Sequence, residues 1–105
     1  MSSKPPLFCL GQVVATPGAL QLLAEVGRHP LEFLAQHVTG DFGDLDEEDK
    51  QANLASIAHG GRVLSSYRVG RNAQEASWKL WIISEGCNAE GEAYQVTTLL
   101  LPEEY

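Results

Sequence analysis

His37 stands four residues before Asp41 in the stretch HVTGDFGDLDEED, residues 37–49. A histidine oriented by a carboxylate is a common general-base pair, and it would act on a hydroxyl or a water. Gly40 interrupts any helix between the two, so a turn has to bring them together. Ser65, Ser66, Thr97 and Thr98 are hydroxyls that a neighbouring sheet could supply as the nucleophile. The simpler reading places His37 at a helix C-terminus, where it meets unpaired carbonyls and the negative end of the dipole. His29 before Pro30 and His59 before Gly60 also sit at helix boundaries, as capping or exposed residues. Three histidines without a CxxC or HExxH spacing make a poor zinc set.

The carboxylates of the same stretch raise a second kind of chemistry. Asp44, Asp46 and Glu48 have the spacing of the first ligands of an EF-hand loop. The sixth position of that loop has to be glycine and is Asp49; the twelfth has to be glutamate and is Ala55. A calcium loop of this kind is therefore excluded, and only a looser Mg²⁺ or Ca²⁺ site at Asp41 and Asp44 is left. Helix capping explains the same residues without a ligand. Asp44 followed by Glu47 matches a capping box, and acids in the first turn oppose the positive end of the helix dipole. No metal and no cofactor is expected.

Trp78 and Trp81 flank Lys79 on alternate faces of one strand. Tryptophans in a central strand are usually core, so at least one is expected to be buried. A ring left exposed beside Tyr67 and Arg68 would make a protein-contact anchor. The pattern lacks the interleaved basic and aromatic residues of an RNA-stacking sheet.

Composition narrows the classes further. The chain has 105 residues, 44% hydrophobic and 20% charged, with a formal net charge of −7. This suits one globular domain, spanning 7–105 after a flexible Pro-containing 1–6. Such an acidic chain is repelled by nucleic-acid backbones, so direct DNA or RNA binding is not expected. A basic protein partner fits better. Cys9 in a strand and Cys87 in a loop are far apart and read as free thiols in a reducing cytoplasm. No signal peptide and no membrane-spanning run is apparent.

Seven elements have to position these residues. A strand over Phe8 to Ala15, bulged at Gly11, leads to Thr16-Pro17, which caps and opens a helix ended by Gly27. Leu20, Leu23 and Ala24, widened by Leu22 and Val26, form its inward stripe. Pro30 opens a second helix over Leu31 to Val38 with Leu31, Leu34 and Ala35 inward, joined by Phe33. After the Gly40–Gly43 turn, a third helix runs from Asp46 to His59 with Leu54, Ile57 and Ala58 in the core, closed by Gly60-Gly61. Strands follow over Val63 to Val69, Trp78 to Ser84 and Tyr94 to Leu101, joined by exposed loops at 70–76 and 86–93. The first places Val63, Tyr67 and Val69 on one face. The second is apolar on both faces and reads as central. The class is α+β, in the order β-α-α-α-β-β-β, with an antiparallel three- to four-stranded meander and helices on one face.

The segments GQVVATPGAL (11–20), HVTGDFGDLDEEDKQAN (37–53), RVLSSY (62–67), WIISE (81–85) and TTLLLPEEY (97–105) resemble a family of small proteins encoded on plasmids, phages and integrated elements. The resemblance covers nearly the whole chain. Two features depart from it. Phe42 stands where a tryptophan is common in the GD-aromatic-G turn, and the loop at 86–95 is longer than the usual connection.

The resemblance implies a mobile-element context, in which small acidic proteins often inhibit host defence. Anti-CRISPR and anti-restriction proteins commonly occupy a basic nucleic-acid groove on the defence complex. The first functional expectation is therefore an inhibitor that binds a CRISPR or restriction effector, without turnover. Its contact residues would be Asp41, Phe42, Asp44, Asp46, Glu47, Glu48 and Asp49, with Glu90 and Glu92 of the 86–93 loop. The alternative is a small hydrolase or ribonuclease-like toxin using His37 with Asp41.

Overall fold

The structure is a computed structural model that describes residues 5–75, 77–86 and 94–105. Four strands and three helices follow in the order β1 (Gln12–Ala15), α1 (Pro17–Val26), α2 (Pro30–Val38), α3 (Glu47–His59), β2 (Val63–Val69), β3 (Trp78–Glu85) and β4 (Val96–Leu100). Short 3₁₀ turns lie at Ala73–Glu75 and Pro102–Glu104. The class is α+β. No helix among the described residues is long and apolar enough to cross a membrane.

The sheet runs β1-β4-β3-β2. β2, β3 and β4 pair antiparallel, but β1 lies parallel to β4, with Gln12 opposite Val96 and Ala15 opposite Leu99. The expected antiparallel meander is corrected here to a mixed sheet. The three helices carry the chain from β1 to the far edge of the sheet. The meander then steps back and brings β4 alongside β1 in the same direction. β1 is also shorter than the run read from the sequence. Gly11 has φ +70°, and a Cβ there would collide with the Tyr94 carbonyl oxygen, so the strand starts only after it.

One sheet face carries α1 and α2. Ala19, Leu22 and Leu23 of α1 and Phe33 and Leu34 of α2 pack on Tyr67, Val69, Leu80, Ile82 and Leu99. Helix starts obey local chemistry: Thr16 Oγ1 accepts from the Ala19 N–H, and His29 Nδ1 accepts from the Leu31 N–H. Inward faces differ from expectation. Leu20 is 53% and Leu31 65% exposed, and Ala24 and Ala35 are exposed too. Several apolar stripes on these helices satisfy helical spacing, and the sheet selects the one that meets it.

α3 is the larger correction. Leu54 is 43% exposed and Ala58 is exposed, Ile57 is half-buried, and the buried residue is Asn53. Its cap is Asp46, which accepts from the Asp49 N–H at 2.8 Å, rather than Asp44. Asn53 Nδ2 donates to the Leu64 carbonyl at 2.6 Å, and the Leu64 N–H donates to Asn53 Oδ1 at 3.0 Å. One side chain thus satisfies both outward backbone groups of an edge residue. Asn53→Ala is expected to cost about 2 kcal/mol, against under about 0.5 kcal/mol for Leu54→Ala, read from urea midpoints.

Candidate functional site

His37 lies in the last turn of α2, on the side that faces the sheet, and is fully buried. Its place at the helix C-terminus is as expected, but it meets sheet hydroxyls rather than the unpaired helix carbonyls. Its Nδ1 is 2.6 Å from Ser65 Oγ on β2, and its Nε2 is 2.9 Å from Ser84 Oγ on β3. Ser84 Oγ is 2.7 Å from Thr97 Oγ1 on β4, and Thr97 donates to the Leu10 carbonyl at 2.8 Å.

The bond from Thr97 to Leu10 sets the direction of the protons from Thr97 back to His37. Thr97 has one hydroxyl proton and gives it to Leu10. Ser84 must therefore donate to Thr97, and His37 must donate to Ser84 from Nε2. Burial holds the ring in its neutral form, so with its one proton on Nε2 the Nδ1 atom is left as acceptor for the Ser65 hydroxyl. The imidazole is neutral, with its proton on Nε2. Phe8 closes the site in a T-shaped ring contact, 5.3 Å between centroids at 90°. Burial pushes the His37 pKa down to about 4.

A base-to-hydroxyl contact thus exists, but Ser65, Ser84 and Thr97 are all 0% exposed. Neither water nor a substrate can reach Ser65 in this arrangement. Asp41 does not orient the ring, because both ring nitrogens are engaged by serines. Instead Asp41 Oδ1 accepts from the Gly43 N–H at 3.2 Å, and Oδ2 accepts from Gln36 at 3.3 Å. Its carbonyl accepts from the Tyr67 hydroxyl at 2.6 Å. Burial pushes that phenol well above its usual range, so it stays a donor. Asp41 is a turn former.

The turn that follows docks on the sheet. The Ser66 N–H donates to the Phe42 carbonyl at 3.1 Å, and the Asp44 N–H donates to the Ser66 carbonyl at 2.7 Å. Gly43 thereby forms a parallel bridge to β2. Phe42 is 2% exposed and packs with Phe8, Val63 and Tyr94. It anchors the turn and offers no surface to a partner, contrary to the contact role expected for it.

The remaining acids face outward. Asp44, Asp46, Glu47, Glu48 and Asp49 are exposed. Among the described residues, Asp44 is the one acid of the stretch within ion-pair reach of cations, 3.5 Å from Lys79 and 3.9 Å from Arg68. Pairs this exposed contribute at most about 1 kcal/mol. No group of three His, Cys, Asp or Glu among the described residues could hold a metal ion. Glu90, Glu92 and Cys87 lie outside the described residues; Cys9 is exposed.

Neither tryptophan is fully buried, which corrects the core expectation. Trp81 is half-buried edge-on to Tyr105, and Trp78 is 59% exposed. Ser84 was missing from the expected hydroxyl set, although its parity shows it. It lies two residues beyond inward-facing Ile82 and opposite Thr97. Comparison with known proteins finds no family model, no curated protein and no solved structure that matches this chain.

Proposed function

We propose that the protein acts by binding a basic protein surface through the carboxylates of the 44–49 segment, as an inhibitor of a nucleic-acid-directed host defence complex. The carrying observation is that Asp46, Glu47, Glu48 and Asp49 stand exposed on a helix start, within a chain of net charge −7. Lys50, immediately after that run, is the one basic residue beside it. The Gly43 bridge and the Asn53 clamp hold this helix start against β2, so the carboxylates are presented by a fixed scaffold. Carboxylates so arranged are complementary to a groove built for phosphates. The mobile-element part of the reading rests on the sequence segments quoted above. The hydrolase alternative lacks access to its base.

The test is a DNA-cleavage assay with purified RNA-guided and restriction effectors. Inhibition of one of them at low salt is expected, weakening as salt rises. Glu47→Lys combined with Glu48→Lys is expected to weaken inhibition at least about tenfold. Both positions lie outside the cap and the contacts to β2. Salt-insensitive inhibition, or full inhibition by the reversed variant, contradicts the reading.

A further inference from the structure

Trp78 opens β3 on the same sheet face as Leu80 and Ile82, which are both 0% exposed, yet Trp78 itself is 59% exposed. It forms one wall of a cleft of about 150 Å³ between α1 and the C-terminal 3₁₀ turn. Leu22 and Leu101 supply the apolar floor, and Gln21, Glu25 and Glu103 supply the polar rim. Among the described lining residues there is no cation.

The cleft is held open by a specific strut. Glu104 Oε1 accepts from Thr16 Oγ1 at 2.5 Å and from the Leu101 N–H at 2.8 Å, tying the chain end to the start of α1. The hydrogen bond from Thr16 is the main reason the Glu104 carboxyl lies below its usual range. Gly18 is what lets it approach: a Cβ there would sit 2.6 Å from Glu104 Oε2. The cleft wall is therefore positioned independently of any ligand.

We propose that this cleft binds an arginine side chain presented by an extended segment of a partner protein. An exposed indole face attracts a guanidinium, which stacks flat on it. Glu25 and Glu103 lie on the rim where charge-assisted hydrogen bonds to the guanidinium N–H groups can form. The aliphatic stem of the arginine covers Leu22 and Leu101. The cleft shares no residue with the 44–49 face and does not rest on the function proposed for that face.

The test is an NMR titration of the two indole N–H resonances with a blocked glycine–arginine–glycine peptide. Its citrulline counterpart, the same shape without charge, is the reference. The Trp78 resonance is expected to shift and saturate with the arginine peptide, with the citrulline peptide about tenfold weaker. Trp78→Leu is expected to abolish binding, read on backbone amides of α1. Glu25→Gln with Glu103→Gln is expected to weaken it about tenfold. Both cleft variants are checked by amide spectra, which is practical because these side chains lie on the cleft surface. No shift at Trp78, equal binding of citrulline, or binding that survives Trp78→Leu overturns the proposal. So does binding lost in the Glu47→Lys, Glu48→Lys protein but kept in Trp78→Leu, which places the peptide on the acidic face.

Discussion

Replacing His37 with alanine is expected to destabilise the fold by about 3–4 kcal/mol, a fall in Tm of roughly 15 °C. The substitution opens a cavity under Phe8, takes the ring acceptor from the Ser65 hydroxyl and takes the ring donor from Ser84, which keeps its bond to Thr97; both serines are 0% exposed. A hydrophobic core residue of similar size would lose the cavity penalty but leave both serines without their ring partner. Thermal and urea unfolding measure the loss. A change under about 1 kcal/mol would mean that water or a rotated serine replaces the ring at little cost.

The same residue sets a pH dependence. His37 has a folded pKa of about 4, below the ordinary histidine value of 6.5 that it has in the unfolded chain. Between these values the unfolded chain binds the extra proton, so stability rises with pH. The contribution is fully present above pH 6.5 and is lost as pH falls towards 4. The loss is on the order of 3 kcal/mol. Subtracting the urea-derived stabilities of His37→Gln from wild type at each pH isolates it from the carboxylates. Long-range ¹H–¹⁵N spectra give an independent reading: a neutral ring with Nδ1 unprotonated at pH 6.

Gly43→Ala is expected to cost at least about 3 kcal/mol. Gly43 has φ +80°, and a Cβ would collide with the Ser66 carbonyl oxygen, the group that accepts from Asp44. Strain and collision add, because rotating the residue to negative φ breaks the bridge to β2. The consequence reaches beyond stability. Phe42 leaves its pocket, the Ser66 edge groups lose their partners, and the carboxylates of 44–49 lose their fixed position. Urea midpoints measure the first effect. Hydrogen exchange at the Asp44 and Ser66 amides measures the second, with both expected to lose protection while β3 keeps it.

Much of the fold was legible because its signals are local. Thr16, Pro17, Pro30 and Gly60 mark helix ends through capping and through φ constraints. The alternation in β2 and the doubly apolar pattern of β3 mark strands and the interior position of β3. What escaped depends on partners far away in sequence. The parallel pairing of four-residue β1 with β4 has no signature in QVVA. The inward choice between Leu20 and Leu22, or Leu31 and Phe33, is made by the sheet. In α3 the residue that matters is a polar one, Asn53, and apolar periodicity cannot select it. His37 was singled out for chemistry because its neighbour in sequence, Asp41, is a carboxylate. Its neighbours in space are Ser65 and Ser84, and strand parity alone carries that information.

The stretch from His37 to Asp49 thus divides by direction. His37 and Phe42 turn inward, and the backbone of Asp41 and Gly43 holds the turn to the sheet, while Asp46 to Asp49 turn outward. The most direct measurement compares two proteins in one effector-cleavage assay, at a temperature where amide spectra show both folded. His37→Gln is expected to inhibit as wild type does, and the Glu47→Lys, Glu48→Lys protein is expected to lose inhibition. A folded His37→Gln protein without activity, beside a charge-reversed protein that keeps it, would contradict this division and return the functional role to the histidine.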